Sequence, residues 1–221
     1  MEHVKFSSHN EFIYSNLTAA VLSSVLRELR GAVSGKCVLI LGFKDAVLDH
    51  LDNGKLYYAV PSTYPLTHWP KIRPFKTVMV NVNALPFAPN TFEVVVINHY
   101  LEFFNKNAKF LDEIFRILKQ DGKLLTVAFG KRNSSEFQRE VRSLKTVVSD
   151  IVEAAFHISN IWGINKKVKF LSYNFNYRQN KLSDALLGFF QLLSNIVVIT
   201  ADKRVAATES VFTLKEKYEP V

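Results

Sequence analysis

The run Phe92-Glu93-Val94-Val95-Val96-Ile97 constrains this chain most. Its four consecutive aliphatic residues, with no polar alternation, suit a strand covered on both faces, the condition of a parallel sheet flanked by helices. The residues after it agree. Phe110, Ile114 and Leu118 recur every fourth position, with Leu111 and Phe115 beside them, which predicts a helix from Lys109 with one broad buried face. Asp121-Gly122 is expected to stop that helix, and Lys123 to Phe129 to form the next strand. Strand, crossover helix and strand make a βαβ unit, hence a parallel sheet. Upstream, Val78 to Val80 reads as a short strand and Asn81 to Ala84 as a polar loop. Pro86 fixes its own φ and biases Leu85 away from helix, and Pro89-Asn90 marks a turn.

The segment L-P-F-A-P-N-T-F-E-V-V-V-I-N-H-Y-L-E, followed by F-L-D-E-I-F-R-I-L-K-Q-D-G-K-L-L-T-V, resembles the second half of a class I S-adenosylmethionine (SAM)-dependent methyltransferase. The likeness is to the type 11 group, which includes the ubiquinone/menaquinone C-methyltransferases. It covers about a quarter of the chain closely, and the element order extends it over most of the rest. It implies a Rossmann-like α/β fold, with a mostly parallel seven-stranded sheet and helices on both faces. It also implies SAM as cofactor and methyl transfer to an acceptor that the sequence does not identify.

The same resemblance places the site residues. Cys37 to Gly42 reads as the first strand, which in the family leads into a loop of the form (D/E)-x-G-x-G-x-G. Here the run is Ile40-Leu41-Gly42-Phe43-Lys44-Asp45-Ala46, with one glycine kept and no acid in the strand. Gly42, Phe43, Lys44 and Asp45 would then lie at the amino-acid end of SAM. The second strand, Leu56 to Val60, ends in Val60-Pro61-Ser62, where the family usually carries an acid for the ribose hydroxyls, so Pro61 stands at that position. Asn81 occupies the place of an aspartate that meets the adenine amino group and keeps an amide oxygen able to accept, with Val82 beside the ring. Asn98, expected to contact the cofactor, and His99 and Tyr100, expected to face the acceptor, follow the fourth strand, where open α/β sheets bind ligands.

His99 has two readings. It is a candidate general base, or a histidine that hydrogen-bonds its surroundings and packs. Tyr100 is a ring for stacking substrate or a core residue. Glu102 reads as structural. Asn98-His99-Tyr100 lacks both prolines of the Asn-Pro-Pro-Tyr tetrapeptide of amino-group methyltransferases, so no adenine or glutamine methylation is assigned.

The remaining segments fill out this frame. Leu17, Val21, Val25 and Leu29 predict an N-terminal amphipathic helix. Residues 61–74 carry four prolines around His68-Trp69 and predict an irregular link. Phe137, Val141, Leu144, Val148, Ile151 and Ala155 predict one long helix, His157 to Ile164 a sixth strand, and Leu182 to Leu193 a last helix. Ile196 to Thr200 is expected as an antiparallel strand at the sheet edge. The chain is read as one domain, with an N-terminal helical segment (1–34), a cofactor-side half (35–130) and a C-terminal half (131–221).

At 221 residues the chain is long enough to bury a core. A lone cysteine, Cys37, permits no internal disulfide, and the sequence shows neither a leader nor a membrane span, so a cytoplasmic location is expected. No zinc-ligand spacing, phosphate-binding loop or hydrolase elbow is present. The net charge of +8 admits an anionic partner. Lys166, Lys167, Lys169, Tyr173, Phe175, Tyr177 and Arg178 interleave cations with rings, which suits single-stranded nucleic acid or, as we favour, a surface loop or hairpin. The alternative to an enzyme is a non-catalytic module of the same fold that binds a partner, RNA among the choices.

Overall fold

A computed structural model of the chain describes residues 31–42, 55–62, 76–103, 108–130, 142–164 and 181–204. Seven strands form one sheet in the order β3-β2-β1-β4-β5-β7-β6. They are β1 (Val38–Gly42), β2 (Leu56–Pro61), β3 (Lys76–Val80), β4 (Phe92–Asn98), β5 (Leu118–Phe129), β6 (Phe156–Ile164) and β7 (Ile196–Lys203). The first five run parallel. β7 runs antiparallel to β5 on one side and to β6 on the other.

Three helices lie wholly within these residues, α1 (Ala108–Ile117), α2 (Leu144–Glu153) and α3 (Lys181–Leu193), and residues 31–33 are also helical. Strand side chains alternate between two apolar layers. Leu39, Leu41, Val95 and Ile97 join one core with Phe110, Leu111 and Ile114 of α1, Val147, Val148 and Ile151 of α2, and Leu187 of α3. Val38, Ile40, Val94 and Val96 face the other way and pack with Val33, Leu125 and Val127. Both faces of β4 are therefore buried, as its unbroken aliphatic run requires.

Several boundaries differ from the sequence-based expectation. α1 ends at Ile117 rather than at Asp121-Gly122. Leu118 already pairs with Phe92 as the start of β5, which then bends where Asp121 takes φ 58°. The apolar period could not place this stop, because Leu118 continues it and is buried although it is already in the strand. The long helix expected through Ala155 is shorter. Arg142 and Ser143 are not helical, Ser143 caps the helix that begins at Leu144, and Ala155 lies beyond it at φ 65°. Phe137 and Val141 of that stripe lie outside the described residues, as do Leu17 to Leu29 of the expected N-terminal helix, Trp69 and the basic 166–178 segment. β7 is antiparallel as expected but sits inside the sheet, and β6 takes the edge.

Candidate functional site

The direction of β4 reverses the sense of progression across the sheet. From β1 the chain steps outward to β2 and β3, then returns to place β4 on β1's other side. Such a switch opens a crevice at the carboxyl tips of the two strands. The residues at those tips are Gly42 of β1, in register with Asn98 of β4. Gly42 has φ 109°, and a Cβ built on it would overlap the Asn98 carbonyl oxygen. Only glycine lets the two strands close here. Neighbouring tips add Pro61, buried and paired with Val80 in the β2–β3 ladder, and Asn81 just past β3. The fold therefore brings Gly42, Pro61, Asn81, Val82 and Asn98 to one rim. Phe43, Lys44 and Asp45 lie outside the described residues.

The loop after β3 is held from below by α1. Asn81 Oδ1 accepts the Asn83 N–H at 3.0 Å, and the Ala84 N–H donates to the Asn81 carbonyl, closing a tight turn. Leu85 N–H donates to Glu113 Oε2 at 2.7 Å. Arg116 donates to the Phe87 carbonyl at 2.8 Å and to the Leu85 carbonyl at 3.0 Å, and also grips Glu113. This pair clamps the Leu85-Pro86-Phe87 backbone. The Arg116 hydrogen bond, followed by the Leu85 N–H, holds the Glu113 carboxyl below its ordinary range, and Glu113 in turn raises Arg116.

The turn after β4 is more deeply set. His99 has φ 47°, donates its N–H to the Val127 carbonyl at 2.9 Å, and is 1% exposed. Its Nδ1 lies 2.9 Å from Oε1 of Glu102, which is also 1% exposed. Oε1 accepts the Phe129 N–H as well, and the imidazole stacks on the Phe129 ring at 4.0 Å. Oε2 of Glu102 is buried with no hydrogen-bond partner among the described residues. The Arg142 N–H donates to the Glu102 carbonyl, tying the turn to the start of α2. Tyr100 is buried with its ring edge-on to Phe110, so it sits in the core.

The sequence gives no site role to Ser194 and Asn195, which are buried at the head of β7, level with the tips of β4 and β5. The Gly130 N–H donates to the Asn195 carbonyl, and a Cβ on Gly130 would overlap the Ser194 carbonyl oxygen. The available signal was a Ser-Asn break between an apolar helix and an apolar strand. Among the described residues no group of His, Cys, Asp and Glu could hold a metal ion. None of the helices they form is long and apolar enough to cross a membrane.

A sheet of this order, with its polar residues gathered at the β1–β4 tips, defines the class I methyltransferase fold. Residues 55–126 match the sequence model of a methyltransferase domain of type 11. A ubiquinone/menaquinone biosynthesis C-methyltransferase, UbiE, from Pasteurella multocida is 43% identical over 54 residues, 24% of this chain and 20% of its own. This chain thus matches about a fifth of the length of that relative. A SAM-dependent methyltransferase from Aquifex aeolicus aligns with a TM-score of 0.62 at 15% identity, covering 90% of this chain and 99% of its own. Phosphoethanolamine N-methyltransferase 2 of Haemonchus contortus, solved with SAM, aligns with a TM-score of 0.57 at 16% identity, covering 91% of this chain and 58% of its own.

The rim fits a nucleoside in part. Asn81 is exposed and carries an amide, and Gly42 turns the backbone at the tip of β1. No carboxylate is available at two places where the family has one, because Ile40 is 1% exposed in the core and Pro61 is in the ladder.

Proposed function

We propose that this protein is a SAM-dependent methyltransferase acting on an acceptor not yet identified. The observation that carries the reading is the reversal of strand order between β1 and β4, with Gly42 and Asn98 in register at the strand tips and Asn81 just past the tip of β3. Asn81 and the backbone around Gly42 would hold the cofactor, and the side facing Asn98 and the His99 turn would receive the acceptor. When bound, SAM supplies a methyl group made electrophilic by its sulfonium. The chain's own task is then to orient an acceptor in line with it and exclude water, work that positioning can do without a covalent intermediate. The Glu113–Arg116 clamp keeps the Leu85–Phe87 wall in place during this.

A second reading rests on a specific observation: Ile40 and Pro61 are apolar where the family offers carboxylates. In it the same fold serves as a non-catalytic binding module. Calorimetric titration with SAM and with S-adenosylhomocysteine separates the two. Micromolar binding, about −8 kcal/mol, weakened by Asn81→Ala, is the expected result. Absence of binding to both ligands, in protein shown to be folded by circular dichroism, overturns the enzyme reading and leaves the module.

A further inference from the structure

We propose that Glu102 is a positioning residue that locks the His99 imidazole in one tautomer, with the proton on Nδ1, so that Nε2 is the basic nitrogen of the ring. The argument starts from Oε1. This one oxygen faces two nitrogens, the Phe129 N–H at 3.2 Å and His99 Nδ1 at 2.9 Å. A backbone amide can only donate, so Oε1 acts as an acceptor toward it. A carboxylate oxygen has capacity for a second donor, and the ring nitrogen beside it fills that role. In a neutral imidazole, a proton on Nδ1 leaves the lone pair on Nε2.

Three features hold the ring in that state. Both side chains are 1% exposed, so bulk water does not compete for the Nδ1–Oε1 bond. The imidazole stacks on the Phe129 ring, 4.0 Å between centroids and 28° between planes, which opposes a ring flip. The backbone is fixed on both sides, by the His99 N–H on Val127 and by the Arg142 N–H on the Glu102 carbonyl. His99 also holds a positive φ of 47°, a conformation uncommon for a residue with a side chain and found where the surroundings over-determine it.

The consequence for chemistry rests on the methyl-transfer reading, and the tautomer itself does not. If the acceptor is a hydroxyl, its O–H bond breaks, the electron pair stays on oxygen, and the proton passes to Nε2. The ring is covered in this structure, so the acceptor reaches Nε2 only by displacing what covers it.

The test is long-range proton–nitrogen NMR of the imidazole side chains in the full chain, with spectra followed to alkaline pH until the ring signals stop changing. Wild type is expected to show His99 wholly as the Nδ1–H form. Glu102→Gln keeps an oxygen that accepts from both nitrogens and is expected to retain that form. Glu102→Met removes it and is expected to give a mixture or the Nε2–H form. An Nε2–H signature in wild type, or an unchanged Nδ1–H signature in folded Glu102→Met, overturns the proposal. Should the Met variant not fold, loss of the Nδ1–H form in Glu102→Gln also counts against it. Calorimetry with S-adenosylhomocysteine on the same samples keeps the two ideas apart. A locked tautomer with no ligand binding sustains the positioning role and removes the methyl-transfer reading, whereas binding with the wrong tautomer does the reverse.

Discussion

Gly42 of β1 stands so close to Asn98 of β4 that a single added methyl group would overlap the Asn98 carbonyl oxygen. The one glycine kept from the family's loop therefore has a reason to be there that involves no ligand. Gly42→Ala has to move two parallel strands apart and to hold a side chain at φ 109°. The expected loss is at least about 2 kcal/mol, read as a lower urea midpoint with no ligand present. An unchanged midpoint would mean that the strand tips are looser than described. A Gly42 variant that fails to bind SAM would by itself say little about the cofactor, which is why Asn81→Ala is the cleaner probe.

Glu113 and Arg116 project from one face of α1, a turn apart, and together bind three backbone groups of the Leu85–Phe87 wall. Glu113→Ala leaves the Leu85 N–H without its acceptor and frees Arg116, at an expected cost of about 1–3 kcal/mol. The sign with pH follows from the direction of the shift. The folded-state carboxyl lies below its ordinary 4.5, so its contribution is complete above that value and is lost as pH falls through the lower one. Denaturation profiles of wild type and Glu113→Ala should therefore lie apart at neutral pH and converge in acid below about 4.5. Parallel profiles down to strong acid would contradict the clamp.

The central half of the fold was legible because its signals are backbone signals. A short run of β-branched residues with no alternation suits a covered strand, and β4 is one. Proline before Phe87 and Pro89-Asn90 announced loops where loops lie. What failed were quantities that a linear pattern does not carry. The apolar period of α1 continues smoothly into Leu118, although the backbone there has left the helix to pair with Phe92. Nothing in the residues of β7 tells that it inserts between β5 and β6, since strand neighbours are settled by long-range pairing. At the site, the strand tips were placed through the resemblance. The spacing of three between His99 and Glu102 was visible, but not that both would be buried against Phe129.

The start of α2 gives a direct check on one of these differences. Ser143 has extended backbone, and its Oγ accepts the Thr146 N–H at 3.2 Å, the geometry of an N-cap. If the helix begins at Leu144, Ser143→Ala removes a cap and costs about 1 kcal/mol, while Ser143→Asp restores it. If instead the apolar stripe from Phe137 were one unbroken helix, position 143 would be interior. Alanine, the better helix former, would then be neutral or stabilising. Thermal melts of the three proteins decide between the two.

Lys203 closes β7 at the opposite end of the sheet from the candidate site. Its ammonium is buried, donating to the Leu118 carbonyl at 2.7 Å and the Asn90 amide oxygen at 3.3 Å, over the Phe115 ring at 4.7 Å. It ties β7 to the bend at the start of β5 and to the turn before β4. Burial lowers its pKa below the ordinary 10.5. The folded chain therefore releases this proton at a pH where the unfolded chain still holds it. Stability then rises with pH between the lowered value and 10.5, because the cost of burying the charge is relieved in that window. Lysines with ordinary values titrate alike in both states and add no slope. Comparing wild type with Lys203→Met isolates the effect. The stability difference between them should shift in favour of wild type as pH climbs toward 10.5, measured by denaturant unfolding at constant ionic strength. A difference that is flat across this range, or one that moves in favour of the methionine variant, would show that the ammonium is solvated rather than buried.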